Sequence, residues 1–190
     1  DGGALSVAGT TNLIATGQDV TLDSAANGTA HTNNLQGLLK IMGANVSVTH
    51  PTALELGDST ISGTYDIRTT TGNITDGSGE TLTVDSTSSF TTDADGADIE
   101  LNETTNKFTG AVTVNTVGVG GDAEIHGGST ALGIIASGEV GTLTLTTTGG
   151  ADITDSGALV VLGATTIDSG VGSVTLNHGS SNMQGAVGAS

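Results

Sequence analysis

Cysteine is absent from this sequence of 190 residues, and proline occurs only once, as Pro51. The absence of cysteine excludes disulfide bonds and is compatible with export across a compartment in which thiols are oxidised. A single proline is typical of a chain in which most backbone amides donate hydrogen bonds within a β-sheet. The sequence contains no run of about 18 or more apolar residues, so we predict no insertion into a membrane.

Basic residues are also rare. Lys40, Arg68 and Lys107 stand against 20 acidic residues, which gives a formal net charge of −17. Because nucleic acids and anionic lipid surfaces are bound through basic side chains, we exclude both as partners. We expect the acidic side chains to lie on outward turns, where they keep a long β-structure soluble and discourage lateral association. A specific acidic binding face is the alternative.

The motifs of common enzyme classes are missing as well. There is no Gly-x-Ser-x-Gly elbow, phosphate-binding glycine loop or His-Glu-x-x-His zinc motif. Asp66 and Arg68 are the one pair that could serve as acid and base of a polysaccharide lyase. However, sugar sites usually stack rings on aromatic side chains, and the sequence has only three. We therefore predict that the chain is not an enzyme, and we interpret the scattered histidines as solvated turn residues: His31, His50, His126 and His178.

A long internal repeat dominates what is present. Leu5, Leu82 and Leu159 open three similar stretches and are equally spaced in the sequence. Self-similarity at a fixed period is typical of a repeat architecture rather than of an enzyme built around one pocket. We divide the single segment 1–190 into copies at about 4–80, 81–157 and an incomplete 158–190. Further landmarks recur at corresponding positions: Leu13, Phe90 and Ile167; Val20, Ile99 and Val174; Gly37, Gly110 and Gly185.

The local pattern within each copy predicts short β-strands. Apolar residues alternate with Ser, Thr, Asp or Glu over about three to five residues, and turn-forming residues follow every eight or nine positions on average. Two or three such strands would complete one coil of about 20 residues. We predict an all-β parallel β-helix, or solenoid, of about nine or ten short coils. An antiparallel β-sandwich is the rival fold, although its repeats would not recur within each copy.

Insertions distinguish the copies. The first copy has six extra residues between Leu22 and Leu35, within the polar segment 24–33, which we expect to loop outside the coil. The second copy has two extra residues within 92–98, where Asp93, Asp95 and Asp98 accompany a glycine. Calcium prefers several carboxylate and carbonyl oxygens around a sharply turning backbone, so these three aspartates are a candidate calcium site. An ordinary solvated turn explains them equally well, and no other cofactor is predicted.

Several runs resemble a known family. These are residues 153–159 (ITDSGAL), residues 98–102 with 106–112, and residues 52–57, and together with the repeat they are similar to filamentous-haemagglutinin-like exoproteins of Gram-negative bacteria. The resemblance implies a right-handed β-helix stalk of a giant secreted adhesin, or of an autotransporter passenger, located outside the cell or on its surface. The N-terminal secretion domain of those proteins is absent here, so we expect an interior segment of a longer chain.

The functional expectation is therefore a structural stalk or filament segment of a bacterial adhesin. Its partners would be neighbouring coils, copies of itself, or a host or neighbouring cell surface. Two other classes are considered: a subunit of a self-assembling extracellular filament, and a carbohydrate-active β-helix enzyme.

Overall fold

The computed structural model describes residues 4–22 and 33–190, and within them it contains strands and turns without a helix. Inward and outward side chains alternate along the strands, as the period-two pattern predicts. In β9 (Tyr65–Thr69), for example, Tyr65 and Ile67 are buried while Asp66 and Arg68 are exposed. The predicted all-β architecture is confirmed.

The first five coils contribute three strands each. They are β1 (Ser6–Val7), β2 (Thr11–Ile14) and β3 (Val20–Leu22); β4 (Asn34–Leu35), β5 (Leu39–Gly43) and β6 (Val46–His50); β7 (Leu54–Leu56), β8 (Ser59–Ile61) and β9; β10 (Ile74–Asp76), β11 (Leu82–Val84) and β12 (Ser88–Asp95); β13 (Ile99–Leu101), β14 (Lys107–Phe108) and β15 (Val112–Val117).

In the later coils some strands are longer and continue around a corner. The strands are β16 (Ala123–His126), β17 (Leu132–Val140), β18 (Leu143–Thr146), β19 (Ile153–Val161), β20 (Thr165–Asp168), β21 (Val174–Thr175), β22 (Asn182–Met183) and β23 (Val187–Ala189). β19, for example, pairs with both β21 and β22.

The strands stack in three lines, and every pairing found among the described residues is parallel. One line is a nine-stranded sheet that runs from β3 through β6, β9, β12, β15, β17 and β19 to β21. A twelve-stranded sheet supplies two lines that meet at β5: one runs through β8, β11 and β14, the other from β7 through β10, β13, β16, β18 and β20 to β23. Because β7, β8 and β9 follow one another in a single coil, the three lines are three sides of a parallel β-solenoid. The parallel pairing rules out the antiparallel sandwich.

The solenoid makes fewer turns than the sequence pattern suggested. Eight strands lie on the path from β3 to β21, so the described chain completes about seven turns rather than nine or ten. The difference arises from coil length, which varies along the rod. Met42 and its register partner Thr60 on the neighbouring coil are much closer in sequence than Thr11 and its register partner Leu39.

A continuous apolar core fills the solenoid. It consists mainly of Leu, Ile and Val, with one or two residues from most strands and more from the long strands β17 and β19. The three aromatic residues are fully buried and stack along the axis: the rings of Tyr65 and Phe90 are 5.9 Å apart, and those of Phe90 and Phe108 are 6.1 Å apart, both edge to face. Leu82 and Leu159 are also fully buried, and Leu5 is partly buried against the same core, as their shared repeat position predicts.

Successive copies of the repeat lie on different sides of the solenoid. The corresponding residues Leu13, Phe90 and Ile167 belong to β2, β12 and β20, which are on three different lines of strands. Register pairings link Val20 to Ile134 through five coils, which gives the average number of residues in a coil. By that average, the interval from Leu13 to Phe90 covers roughly three and one-third coils. Each copy is therefore rotated by about one-third of a turn relative to the copy before it.

Three glycines at corresponding positions show that the copies are equivalent at the corners. A Cβ atom on Gly37 would lie 2.7 Å from the carbonyl carbon of Gly9, and one on Gly110 would lie 2.5 Å from that of Ser86. Gly185 makes the same close approach to Gly163. Because real Cβ contacts are never so short, only glycine lets the two backbones meet at this corner.

Candidate functional site

The structure does not bring Asp93, Asp95 and Asp98 together around a common point. Asp93 and Asp95 lie at the end of β12, and Asp98 directly precedes β13. The Asp93 carboxylate pairs with Nε of Arg68 at 2.9 Å, whereas Oδ1 of Asp98 accepts the backbone N–H of Asp122 at 2.9 Å. Within residues 4–22 and 33–190 no three acidic or histidine side chains are grouped so that they could hold a metal ion. This geometry gives the calcium hypothesis no support.

Asp98 instead belongs to a ladder of polar side chains at one corner of the solenoid. Its own N–H donates to Oδ1 of Asn73 at 3.0 Å in the preceding coil, and its carboxylate accepts the N–H of Asp122 in the next. Oδ1 of Asp122 accepts the N–H of Thr142 at 2.6 Å in turn. Each side chain thus satisfies a backbone donor one coil further along, where the chain turns and no strand partner is available.

The same arrangement occurs at another corner in the first copy. Oδ1 of Asp19 accepts both the backbone N–H and the side-chain amide of Asn45, at 3.0 and 2.9 Å. Oδ1 of Asn45 accepts the N–H of Thr64 at 3.1 Å. Sequence reasoning did not identify these ladders, although a signal exists, since the ladder residues directly precede an inward apolar residue: Asp19, Asn45, Asn73, Asp98, Asp122 and Asp152.

A second set of carboxylates closes turns. Asp76 accepts the N–H groups of Asn102 and Glu103 at 3.1 and 3.2 Å and the side-chain amide of Asn106 at 2.6 Å. Burial raises the pKa of the Asp76 carboxyl above its ordinary value, and these donors offset the rise only in part. Asp155, at the corresponding repeat position, accepts the N–H groups of Asn177 and His178 at 3.1 and 2.7 Å. Both aspartates have a structural role.

A three-residue charge cluster joins three successive coils on the outer surface. Nζ of Lys40 lies 2.6 Å from Oε2 of Glu80 and 3.4 Å from Oδ2 of Asp58. The hydrogen bond to Glu80 raises the pKa of the Lys40 ammonium, while partial desolvation opposes the rise. The hydrogen bond from the N–H of Thr81 lowers the pKa of Asp58, and Lys40 lowers it further. The lysine is thereby neutralised by acids of its own chain.

Asp66 and Arg68, the candidate lyase acid and base, lie side by side on the outer face of β9. Arg68 is paired with Asp93, and this carboxylate raises the pKa of the guanidinium. A guanidinium that stays charged cannot act as a base, and neither side chain lines the grooves beside Lys40 or between residues 34–37 and 52–55.

Two of the four histidines were interpreted wrongly. His50 is fully buried and His126 is nearly so, whereas only His178 is an exposed turn residue; His31 lies outside the described residues. Nδ1 of His126 accepts the N–H of Gly128 at 3.0 Å. Burial lowers the pKa of the His126 imidazole against the opposing effect of nearby carboxylates.

The predicted outer loop at 24–33 is described only at its last residue. Asn33 is buried within the coil rather than looped outside it, and residues 24–32 lie outside the described residues.

Two shallow grooves occur on the described surface. One, of about 410 Å³, lies beside Lys40 and Asp58 and is bordered by the exposed side chains of Ile14 and Met42. The other, of about 400 Å³, lies between residues 34–37 and 52–55. Neither contains an aromatic side chain, and Lys40 and Asp58 already pair with each other in the first. The polar side chains of the corners and of the charge cluster therefore bond mainly within the solenoid.

Comparison with known proteins agrees with the repeat architecture. A family described as "Repeats of unknown function (DUF5649)" matches residues 1–39, 43–115 and 120–190. The chain belongs to this repeat family. The second and third matched segments begin at residues 43 and 120, and this interval equals the interval from Leu5 to Leu82. The copy boundaries at 4–80, 81–157 and 158–190 differ from the bounds of the matches and stay a prediction. No significant match was found among curated proteins or solved structures. Residues 4–22 and 33–190 contain no helix that is long and apolar enough to cross a membrane.

Proposed function

We propose that this repeat protein is a structural stalk segment of a bacterial cell-surface or secreted adhesin, in which it acts as a spacer. The observation that carries the proposal is the use of its polar side chains. Asn73, Asp98 and Asp122 bond from one coil to the next, as do Lys40 with Asp58 and Arg68 with Asp93. Side chains that hold neighbouring coils together favour a rod over a ligand site.

The rotation of the repeat supports the same proposal. A repeat that formed a single binding stripe would place equivalent residues on one side of the rod, whereas here they occur on three sides. The net charge of −17 also suits a long exposed rod, since it opposes lateral aggregation. The resemblance to filamentous-haemagglutinin-like repeats suggests the extracellular location and the adhesin. The expected partners are adjacent coils of the same solenoid, other copies of the chain, or a host or neighbouring cell surface.

Deletion of one repeat in the parent protein tests the spacer role. Removing residues 43–119 joins residue 42 to residue 120, which begins the next family match, so the phase of the repeat is preserved. The rod should shorten by about three and one-third coils, or roughly 16 Å at about 4.8 Å per coil. Duplication of the same residues is the matched control and should lengthen it equally.

In the source bacterium we expect antibodies against the chain to label intact cells, and adhesion to change only gradually with rod length. Loss of all adhesion on deletion, with the shortened protein still displayed and still β-rich by circular dichroism, would show that residues 43–119 contain the binding site. Failure of the antibodies to reach the wild-type protein on intact cells would contradict the surface location.

A further inference from the structure

Three buried hydroxyl groups occupy the same position in the three copies of the repeat. Thr11, Ser88 and Thr165 are equally spaced in the sequence and are the first residues of β2, β12 and β20. Their exposed fractions are 6%, 3% and 1%. The side-chain oxygen of each has no hydrogen-bond partner among the described residues. The same unpaired polar group therefore recurs on three sides of the rod.

Other buried hydroxyls of the solenoid are paired. Each of the six remaining buried Ser and Thr side chains in the described ranges donates to a nearby backbone carbonyl, at 2.6 to 3.0 Å. These side chains are Ser59, Thr69, Thr92, Thr116, Thr147 and Ser169. The residue that opens β2, β12 and β20 is thus an exception in a structure that otherwise satisfies its inward hydroxyls.

An apolar residue would suit this position if the hydroxyl had no role. Thr165 lies in register between Leu143 and Val187, and Ser88 lies beside Val112. A buried hydroxyl without a partner destabilises a fold, because it gives up the hydrogen bonds that it makes with water in the unfolded chain. Valine has the shape of threonine and would avoid this loss. The recurrence of a hydroxyl in all three copies therefore indicates a hydrogen-bond partner.

Ser88 and Thr165 carry the inference, because their surroundings lie within the described chain. Three strand pairings separate β12 from β3, the strand that precedes residues 23–32, and four strands lie between β20 and β7. Thr11 belongs to the first coil, which adjoins residues 1–3 and 23–32 outside the described ranges. It enters only as the equivalent position of the first copy.

The corner at which these strands begin offers a second polar group. The backbone N–H of Ser88 donates to the carbonyl oxygen of Ala111 at 3.0 Å, and that of Thr165 donates to the carbonyl oxygen of Ala186 at 2.8 Å. Both carbonyls directly follow a corner glycine and belong to the next coil. A carbonyl oxygen has two lone pairs, and this bond uses one of them. An acceptor thus lies close to each unpaired hydroxyl.

We propose that Ser88 and Thr165 each bind one buried water molecule, which bridges the hydroxyl to the carbonyl after the corner glycine, and that Thr11 binds an equivalent one. Globular proteins contain about one buried water per 27 residues, typically with about three hydrogen bonds to buried polar groups. Water fits the hydroxyl because it can both donate and accept. Each water links two successive coils at a corner, and the site rotates around the rod with the repeat.

A high-resolution crystal structure of the complete wild-type chain tests the proposal directly. We expect an ordered water about 2.7–3.0 Å from the side-chain oxygens of both Ser88 and Thr165, and within the same distance of the Ala111 or Ala186 carbonyl oxygen. A direct bond from either hydroxyl to a protein atom, or the absence of an ordered water beside either one, would overturn the proposal.

Thr165→Val gives a second test in solution, because it removes the hydroxyl and keeps the shape of the side chain. We expect the melting temperature to fall by about 2–4 °C as the water loses a partner. Thr166→Val, at the exposed neighbouring position, is the matched control and should change it less. A T165V melting temperature at or above that of the wild type would show that the hydroxyl had no partner. If T165V does not fold, the crystal structure of the wild type decides.

Discussion

The backbone N–H of Leu82 donates to Oδ1 of Asn106, which lies 2.9 Å away in the next coil. Both residues are buried. In the first copy the N–H of Leu5 bonds in the same way to Oδ1 of Asn33 at 2.9 Å, and in the third copy the N–H of Leu159 bonds to Oγ of Ser181 at 3.1 Å. A short polar side chain therefore takes the amide of the leucine that opens each copy, on three sides of the rod.

Replacement of Asn106 by alanine should lower the free energy of unfolding by about 3 kcal/mol. The change leaves the buried N–H of Leu82 without an acceptor and removes the amide that donates to Asp76. Urea unfolding followed by circular dichroism gives the value. Thr104→Ala, at an exposed position two residues earlier, is the control and should stay within about 0.5 kcal/mol of the wild type. Equal stability of the two variants would contradict the structural role of Asn106.

The corner glycine of the second copy should not tolerate a side chain. In Gly110→Ala the new Cβ would meet the backbone of Ser86 within 2.5 Å, so the two coils must separate, at a cost of about 1–3 kcal/mol. Gly179→Ala is the matched control, because nothing lies within 4 Å of its Cβ position. Thermal melting of both variants measures the difference, and a Gly110 variant as stable as the Gly179 variant would show that this corner is less tightly packed.

The fold was predictable because its signals are periodic. Alternation of apolar and polar residues identified the strands, and the equal spacing of Leu5, Leu82 and Leu159 identified a repeat. The number of coils was not predictable, because turns of different length, such as those that separate Thr11 from Leu39 and Met42 from Thr60, change the coil without changing the strand pattern. The rotation of each copy by one-third of a turn depends on this coil length and so was not predicted either.

The phenol of Tyr65 is a polar group in the apolar core. It is fully buried, burial raises its pKa well above the ordinary value, and its hydroxyl has no hydrogen-bond partner among the described residues. The Oγ of the neighbouring Ser59, which accepts from Ile41 and donates to the Gly57 carbonyl, offsets part of the effect of burial on the Tyr65 pKa but lies outside hydrogen-bond geometry with the phenol. Tyr65→Phe should therefore leave the free energy of unfolding unchanged or raise it by about 1 kcal/mol.

Denaturant unfolding measures this effect. Tyr65→Leu is the comparison variant, because it removes the hydroxyl and also the edge-to-face contact with Phe90, and we expect it to be less stable than Tyr65→Phe. A loss of more than about 1 kcal/mol in Tyr65→Phe would show that the hydroxyl has a partner after all.

The charge cluster of Lys40, Asp58 and Glu80 should stabilise the fold only over a limited range of pH. Folding lowers the pKa of Asp58, so its contribution is present above its unfolded value of about 4 and is lost as the pH falls through the folded value. Folding raises the pKa of Lys40, so its contribution is present below its unfolded value of about 10.5 and is lost as the pH rises through the folded value.

Lys40→Met keeps the length of the side chain and removes its charge. We expect it to be less stable than the wild type at pH values between these limits, with the difference shrinking at both extremes. Lys107→Met is the control, because no ion pair to Lys107 is found in the described part of the chain. A stability difference for Lys40→Met that stays constant from about pH 3 to pH 11 would show that packing, rather than charge, accounts for it.

The candidate site was less predictable than the fold. Asp93, Asp95 and Asp98 are close in sequence, but the bulge at the end of β12 and the corner before β13 direct them to different partners. The roles of Asn73, Asp98 and Asp122 depend on which residue lies one coil away, and variable coil length hides this from the sequence. The local signal, an Asp or Asn before an inward apolar residue, becomes informative once the coils are aligned.

Distances between spin labels on three corresponding residues test most directly whether each repeat is rotated by one-third of a turn. Asn12, Ser89 and Thr166 point outward, are equally spaced in the sequence and lie on three lines of strands, and the absence of native cysteine allows labelling at chosen pairs. Double electron–electron resonance should give similar distances for the pairs 12–89 and 89–166, and a distance for 12–166 that is clearly shorter than their sum. A 12–166 distance equal to that sum would place the three residues on one side of the rod and would contradict the rotation of the repeat.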